Sequence, residues 1–192
     1  VASDHLGQYG ITLVEDLAQV KLSVHRALRA GGQLVLNADD ALVVAAAPAG
    51  PAVWFALDPE NPLIRAARDA GQPCGWYQDG VLMPSDGATV LPLIAARDVP
   101  LCLGGAARYN IENALAAALA ALALGLPDAA IHKVLAGFRS DPVDNPGRAN
   151  EFGVNGARVF VDFAHNPHSI AAITSALAAL PARRRYLLLS HA

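Results

Sequence analysis

Residues 159–169, VFVDFAHNPHS, keep one carboxylate, Asp162, inside an apolar run and end it in a turn carrying His165, Asn166 and His168. Ligands of α/β sheets sit beyond the carboxyl ends of strands, where a carboxylate can accept hydrogen bonds from ribose hydroxyls. The same aspartate could equally cap the next helix or hold the turn. Ser169 stands nearby, but the sequence has no G-x-S-x-G phrase, and one short turn does not supply a whole hydrolase triad. Three other stretches carry chemistry-bearing types. In SDHL, His5 could meet a metal ion as an imidazole oriented by a neighbour. One helix later Lys21 lies between Val20 and Leu22, with apolar Leu17, Val24 and Leu28 at helical spacing, so it must snorkel or find a partner. Both also read as a loop histidine and an exposed helix lysine. In RYNIENALAAALAA, Asn110 and Asn113 share one face of a helix start. One could cap the helix while the other offers its amide to a flat heterocycle, or both could be capping residues. In NPGR, Gly147 permits a bend and Arg148 presents a fork suited to phosphate, or is simply a surface linker residue.

The elements around these residues alternate. Leu13, Leu17, Val20, Val24 and Leu28 predict a helix over 13–30, capped by Thr12 with Glu15 at the capping-box position and ended by Gly31-Gly32. QLVLNADD reads as a strand with a polar exit, DALVVAAA as a short helix, AVWFAL as a strand and NPLIRAARDAG as a helix with proline at its start. This alternation argues for a mostly parallel sheet covered by helices. Residues 74–94 differ: short strand-like runs separated by Asp-Gly pairs predict a small antiparallel insert. Helices follow over 110–124 and from Pro127, and RSDPVDNPGR is the best linker in the chain. Beyond it, Asn155-Gly156 predicts a hairpin, followed by a helix and a strand RYLLLS, as in the opening half of another α/β domain.

Composition narrows the classes. The chain has 192 residues, 54% hydrophobic and 16% charged, as in a globular protein. A net charge of −3 gives no footprint for nucleic acid or anionic membrane, and Arg183-Arg184-Arg185 reads as a solvated helix end. No apolar run approaches the roughly 20 residues of a membrane span, the alanine-rich stretch 114–126 included. Cys74 and Cys102 stand far apart in apolar surroundings, which fits a reducing cytoplasm. The chain opens without methionine on a motif-like phrase and stops as an apolar run ends, so it reads as a piece of something larger.

Taken in order, these phrases resemble the Mur ligase family, which makes amide bonds by ATP-dependent activation of a carboxylate. SDHLGQYG with EDLAQVK resembles the family's Asp-His-Leu phrase and special lysine. NIENALAAALAA is similar to its Asn-x-x-Asn helix, NPGR to its hinge arginine, and VFVDFAHNP to the opening of its C-terminal domain. The resemblance spans nearly the whole chain, but the family's Gly-rich G-T-x-G-K-[ST] phosphate loop is not in the sequence. It implies an α/β fold: residues 1–146 as the later part of a mostly parallel-sheet ATPase domain with a small antiparallel insert, and 147–192 as the first half of a Rossmann-like C-terminal domain. It implies ATP and Mg2+ as cofactors. His5 and Lys21 would hold the metal, Lys21 as a carbamate. Asn110 and Asn113 would face adenine, Arg148 the phosphates and Asp162 the ribose; His165 and Asn166 would lie beside the interdomain cleft, Asn166 as a further nucleotide-binding residue and His165, with Lys21, as a catalytic one. The implied partners are an amino acid and a carboxylate-bearing acceptor, in the cytoplasm, with no nucleic acid or membrane; a homo-oligomer is compatible with the resemblance. The whole protein would be a carboxylate–amine ligase, and this stretch alone inactive. The competing reading is a non-catalytic α/β remnant that binds a nucleotide or a partner.

Overall fold

A computed structural model describes residues 1–3 and 6–189. Its centre is a five-stranded sheet in the order β1 (Leu34–Asn37), β2 (Ala52–Ala56), β3 (Cys74–Gln78), β4 (Val81–Ser85), β5 (Ile94–Ala95). β1, β2 and β3 run parallel, and β3, β4 and β5 form an antiparallel meander. The sheet is therefore mixed rather than mostly parallel. The stretch expected as an insert is the antiparallel half of the same sheet, because β3 pairs with β2 on one side and β4 on the other. Asp79 and Gly80 turn that hairpin with φ of 51° and 82°, the left-handed pair that a two-residue hairpin loop requires.

Helices cover both faces. α2 (Ala41–Ala46) follows β1, with Asp40 accepting the N–H groups of Leu42 and Val43 at its start. α3 (Pro62–Asp69), begun by Asn61 and Pro62, packs Ile64 and Ala67 against Ala56, Cys74 and Trp76 on one face. On the other face α4 (Arg108–Ala123) lays Ile111, Ala114, Leu115, Ala118 and Leu119 over Val53, Phe55 and Leu82, with α5 (Asp128–Gly137) adding Ile131 and Leu135. This stripe at helical spacing forms the main core. Gly75 on β3 lets α4 come close: a Cβ there would stand 2.9 Å from a Leu119 methyl.

The first helix is shorter than its periodicity predicts. α1 covers Val14–Leu22 and tightens into a 3-10 turn over Ser23–Ala27. Ser23 Oγ donates to the Val20 carbonyl at 2.6 Å and a His25 ring nitrogen lies 2.8 Å from the Leu22 carbonyl, so side chains compete for the backbone groups there. Val24 and Leu28 are exposed, and without packing a helix gains little. The N-cap is Leu13, with no side-chain cap, so the Thr12 and Glu15 capping box does not form.

After a turn-rich stretch, β6 (Asn150–Val154) and β7 (Ala157–Val161) form a hairpin through Asn155 and Gly156, as their pairing predicts. α6 (Pro167–Ala179) then packs on α4. The strand expected at RYLLLS does not form in the described residues 185–189. Among the described residues no strand pairs with it, and the Arg185 guanidinium instead binds the Leu177, Ala178 and Leu180 carbonyls at the end of α6. The expected half of a Rossmann-like domain is thus a hairpin and one helix. No described helix is long and apolar enough to cross a membrane.

Candidate functional site

A cavity of about 590 Å³ opens at the carboxyl end of β1. Three walls build it: Asn37, Asp39 and Asp40 on the exit from β1; Arg108, Tyr109 and Glu112 on the first two turns of α4; and His168, Ala172, Ser175 and Ala176 on one face of α6. The α6 residues recur at helical spacing, so one stripe faces the space. The crevice beyond strand ends is where open α/β sheets receive ligands.

The carboxylates of this cavity differ in what they already do. Asp39 accepts the Leu57 N–H at 2.6 Å and the Asn61 side-chain N–H at 3.2 Å, tying the β1 exit to the β2 exit. Asp40 caps α2 and also meets the Val1 ammonium group. Glu112 has neither a hydrogen bond nor an ion pair among the described residues. Burial, and then the Asp39 charge, push its carboxyl above the ordinary range against the opposite pull of Arg108. Tyr109 is pushed up to about 12, by burial first and the Asp162 charge second, and its hydroxyl is buried with no partner.

Of the sequence-predicted site residues that lie among the described residues, none lines the cavity. Asn110 is buried and donates to the Leu101 carbonyl at 2.8 Å, and its oxygen accepts from Asn113 at 3.3 Å. The two asparagines do share a face, and Asn110 stitches α4 to the turn before it. Asp162 accepts two backbone N–H groups, from Ala149 at 2.8 Å and Ala164 at 2.7 Å. It thereby holds Ala149, which is buried at a left-handed φ of 49°. Arg148 is exposed with its guanidinium 5.9 Å from the Phe163 ring. His165 packs on Phe163 with ring centroids 5.0 Å apart and a ring nitrogen 2.9 Å from the Phe163 carbonyl. Asn166 caps α6 in a capping box with Ser169. Lys21 is exposed in the last turn of α1, where a cation suits the helix dipole; burial first, and then the Lys21 charge, lower the pKa of the Val1 ammonium. His5 lies outside the described residues. Among the described residues no group of three or more His, Cys, Asp or Glu side chains could hold a metal ion.

The cavity residues had a legible signal: the polar exit of QLVLNADD is a strand's carboxyl end. Tyr109 and Glu112 had none, because only packing decides which face of a helix start turns inward.

No family model matches the chain. Curated relatives do. Cyanophycin synthetase of Crocosphaera subtropica is 36% identical over 90% of this chain, and that of Synechocystis 35% over 90%. UDP-N-acetylmuramate–L-alanine ligase of Bordetella petrii is 32% identical over 96% of it. The chain is homologous to a Mur ligase-like region of these larger proteins. It spans 20% of the length of each of those cyanophycin synthetases and 39% of the muramate–alanine ligase. The match to cyanophycin synthetases accords with the phrases LVLNADD, FALDPENPLI and NPGRANEF, which resemble the ligase part of those proteins.

Proposed function

We propose that the chain is part of an ATP-dependent carboxylate–amine ligase similar to cyanophycin synthetase, and that the cavity between α4 and α6 receives the nucleotide. The likeness to proteins named as synthetases and ligases supports the reaction class. The observation that carries the site is the cavity's position at the carboxyl end of a parallel strand, against the first turn of a helix. On this reading residues 1–146 belong to a central ATPase region and 147–192 begin the C-terminal one, so the nucleotide lies where the two meet.

In the reaction, the γ-phosphoryl group of ATP passes to the acceptor's carboxylate, giving an acyl phosphate and ADP. The amino acid's amine then attacks the acyl carbon, the carbon–oxygen bond to phosphate breaks, and phosphate leaves as the amine loses a proton. Walls that exclude water protect the acyl phosphate from hydrolysis. The residues of this chain serve the nucleotide. Tyr109 and Glu112 face the cavity, and Asn110, with Asn113, fixes the helix turn that carries them. Asp162 stands outside the cavity lining but within electrostatic reach of Tyr109; it uses two of its roughly four acceptor positions on backbone amides, and a ribose that extends past the cavity rim would meet the others. Arg148 is exposed, as a group that approaches phosphates must be, and His165 and Asn166 stand on the same turn as Asp162. A Lys21 carbamate with His5 would be the magnesium site. His5 lies outside the described residues, and Lys21 stands exposed at the end of α1. A cytoplasmic setting suits the ATP-dependent reading.

A second reading is a non-catalytic nucleotide-binding module, in which the cavity at the β1 exit holds a nucleotide without phosphoryl transfer. The test is calorimetric titration of the chain with ATP beside a phosphate-release assay. The chain is expected to bind ATP without hydrolysing it. Metal-dependent phosphate release from a clean preparation would contradict the division of labour proposed, and absence of binding would remove the nucleotide site.

A further inference from the structure

We propose that Asn155 is a site of spontaneous covalent modification: its side-chain amide closes on the next peptide nitrogen, converts to aspartate and isoaspartate, and opens the β6–β7 hairpin. The inference is independent of the nucleotide reading. The reaction needs an asparagine followed by a residue without a Cβ, since a side chain there crowds the attacking nitrogen. Among the asparagines of the sequence only Asn155 precedes glycine. Asn61, Asn145 and Asn166 precede proline, which has no N–H to lose. The fold leaves the pair open. Asn155 and Gly156 are exposed at the hairpin tip, and a Cβ built on Gly156 meets nothing within 4 Å. They form a two-residue loop between the paired Val154 and Ala157, so both stand outside the ladder. Little else holds the tip closed. Phe152, Val154, Val159 and Val161 on one face are between 40% and 50% exposed, and a two-stranded hairpin without a covered face is marginal in water. The other face carries the Arg158–Glu151 ion pair, at 2.5 and 2.9 Å, which is itself exposed and so contributes little. Local opening therefore frees the turn to react. The Gly156 nitrogen, having given its proton to water, attacks the Asn155 side-chain carbonyl carbon. A carbon–nitrogen bond forms, the bond to the side-chain nitrogen breaks, and that nitrogen takes a proton and leaves as ammonia. Water then opens the cyclic imide. Cleavage at the side-chain carbonyl gives aspartate; cleavage at the main-chain carbonyl gives isoaspartate, whose chain runs through Cβ. Either product adds a negative charge, and isoaspartate also lengthens the main chain by one carbon. A tight loop with φ of 49° and 80° at its two residues does not accommodate that carbon, and the register that sets Phe152 opposite Val159 is lost from the tip.

The experiment ages the chain in warm neutral buffer beside Asn155→Gly and a synthetic peptide of residues 150–161. Asn155→Gly keeps a residue at ease with positive φ and removes the reactive amide. Peptide mapping resolves the aspartyl and isoaspartyl products, and hydrogen exchange reads the hairpin. Isoaspartate is expected at Asn155 before any other asparagine is altered. The aged wild-type chain loses exchange protection over 150–161, while Asn155→Gly keeps it through the same ageing. An Asn155 still intact when the peptide has converted would overturn the site, because the folded turn then blocks the attack. Isoaspartate formed in full with exchange unchanged would overturn the opening of the hairpin. Equal loss of protection in aged Asn155→Gly would assign that loss to another event and overturn the same link.

Discussion

At the scale of single residues, the same side chains carry structure and the proposed chemistry together. Asp162 answers the backbone N–H groups of Ala149 and Ala164, and one of them belongs to a residue in a left-handed conformation. Asp162→Ala therefore leaves two amides without their partner and should cost about 1–3 kcal/mol, read from chemical denaturation. An unchanged midpoint would mean that water replaces the carboxylate freely and that the turn does not depend on it. Glu112 behaves in the opposite sense. Its carboxyl is raised in the folded chain, so its contribution is fully present below the unfolded carboxylate pKa and is lost as pH rises through the folded one. Near neutrality the ionised group is then a liability. Glu112→Gln should melt above the wild type at pH 7, with the gap closing on acidification below the carboxylate range. A gap that widens with acid would reverse the sign and contradict the burial of that group. A carboxylate kept at a cost to stability is what a binding site retains.

At the scale of elements, most of the secondary structure was legible because local signals and tertiary packing agree. Asn61-Pro62 begins α3, Asn155-Gly156 turns the second hairpin, and Gly125 with φ of 75° follows α4. Where they disagree the reading failed. The apolar positions of 13–30 predict a long helix, but Val24 and Leu28 have little to pack against and the helix stops at Leu22. The RYLLLS run has strand composition, yet strands exist only in pairs, and periodicity says nothing about a neighbour. The site was less legible than the fold. Asn110 and Asn166 were identified as chemistry-bearing types, and the structure engages each in holding a helix turn. Two substitutions test these element-level accounts. Gly75→Ala drives a methyl into Leu115 and Leu119 of α4 and should destabilise by about 1–3 kcal/mol. Asn166→Ala removes the α6 capping box, an expected loss of about 0.5–2 kcal/mol. Melts equal to the wild type would show, respectively, that α4 shifts off β3 without penalty and that α6 is held by packing alone.

At the scale of the molecule, the central claim is that two blocks distant in sequence share one nucleotide. α4 and the β1 exit come from the first, α6 from the second, and the cavity exists only because α6 packs on α4. Neither block has the whole surface: Asp39, Tyr109 and Glu112 line one side, His168 and Ser175 the other. A nucleotide seated there must slow the opening of both, since amide exchange follows local unfolding. Hydrogen–deuterium exchange of the chain with and without saturating ATP tests this directly. The account predicts slower exchange in two separate segments, 106–112 and 168–176, with 62–69 on the far face of the sheet unchanged. Protection confined to one of those segments, or absent from both while ATP is bound, would contradict it.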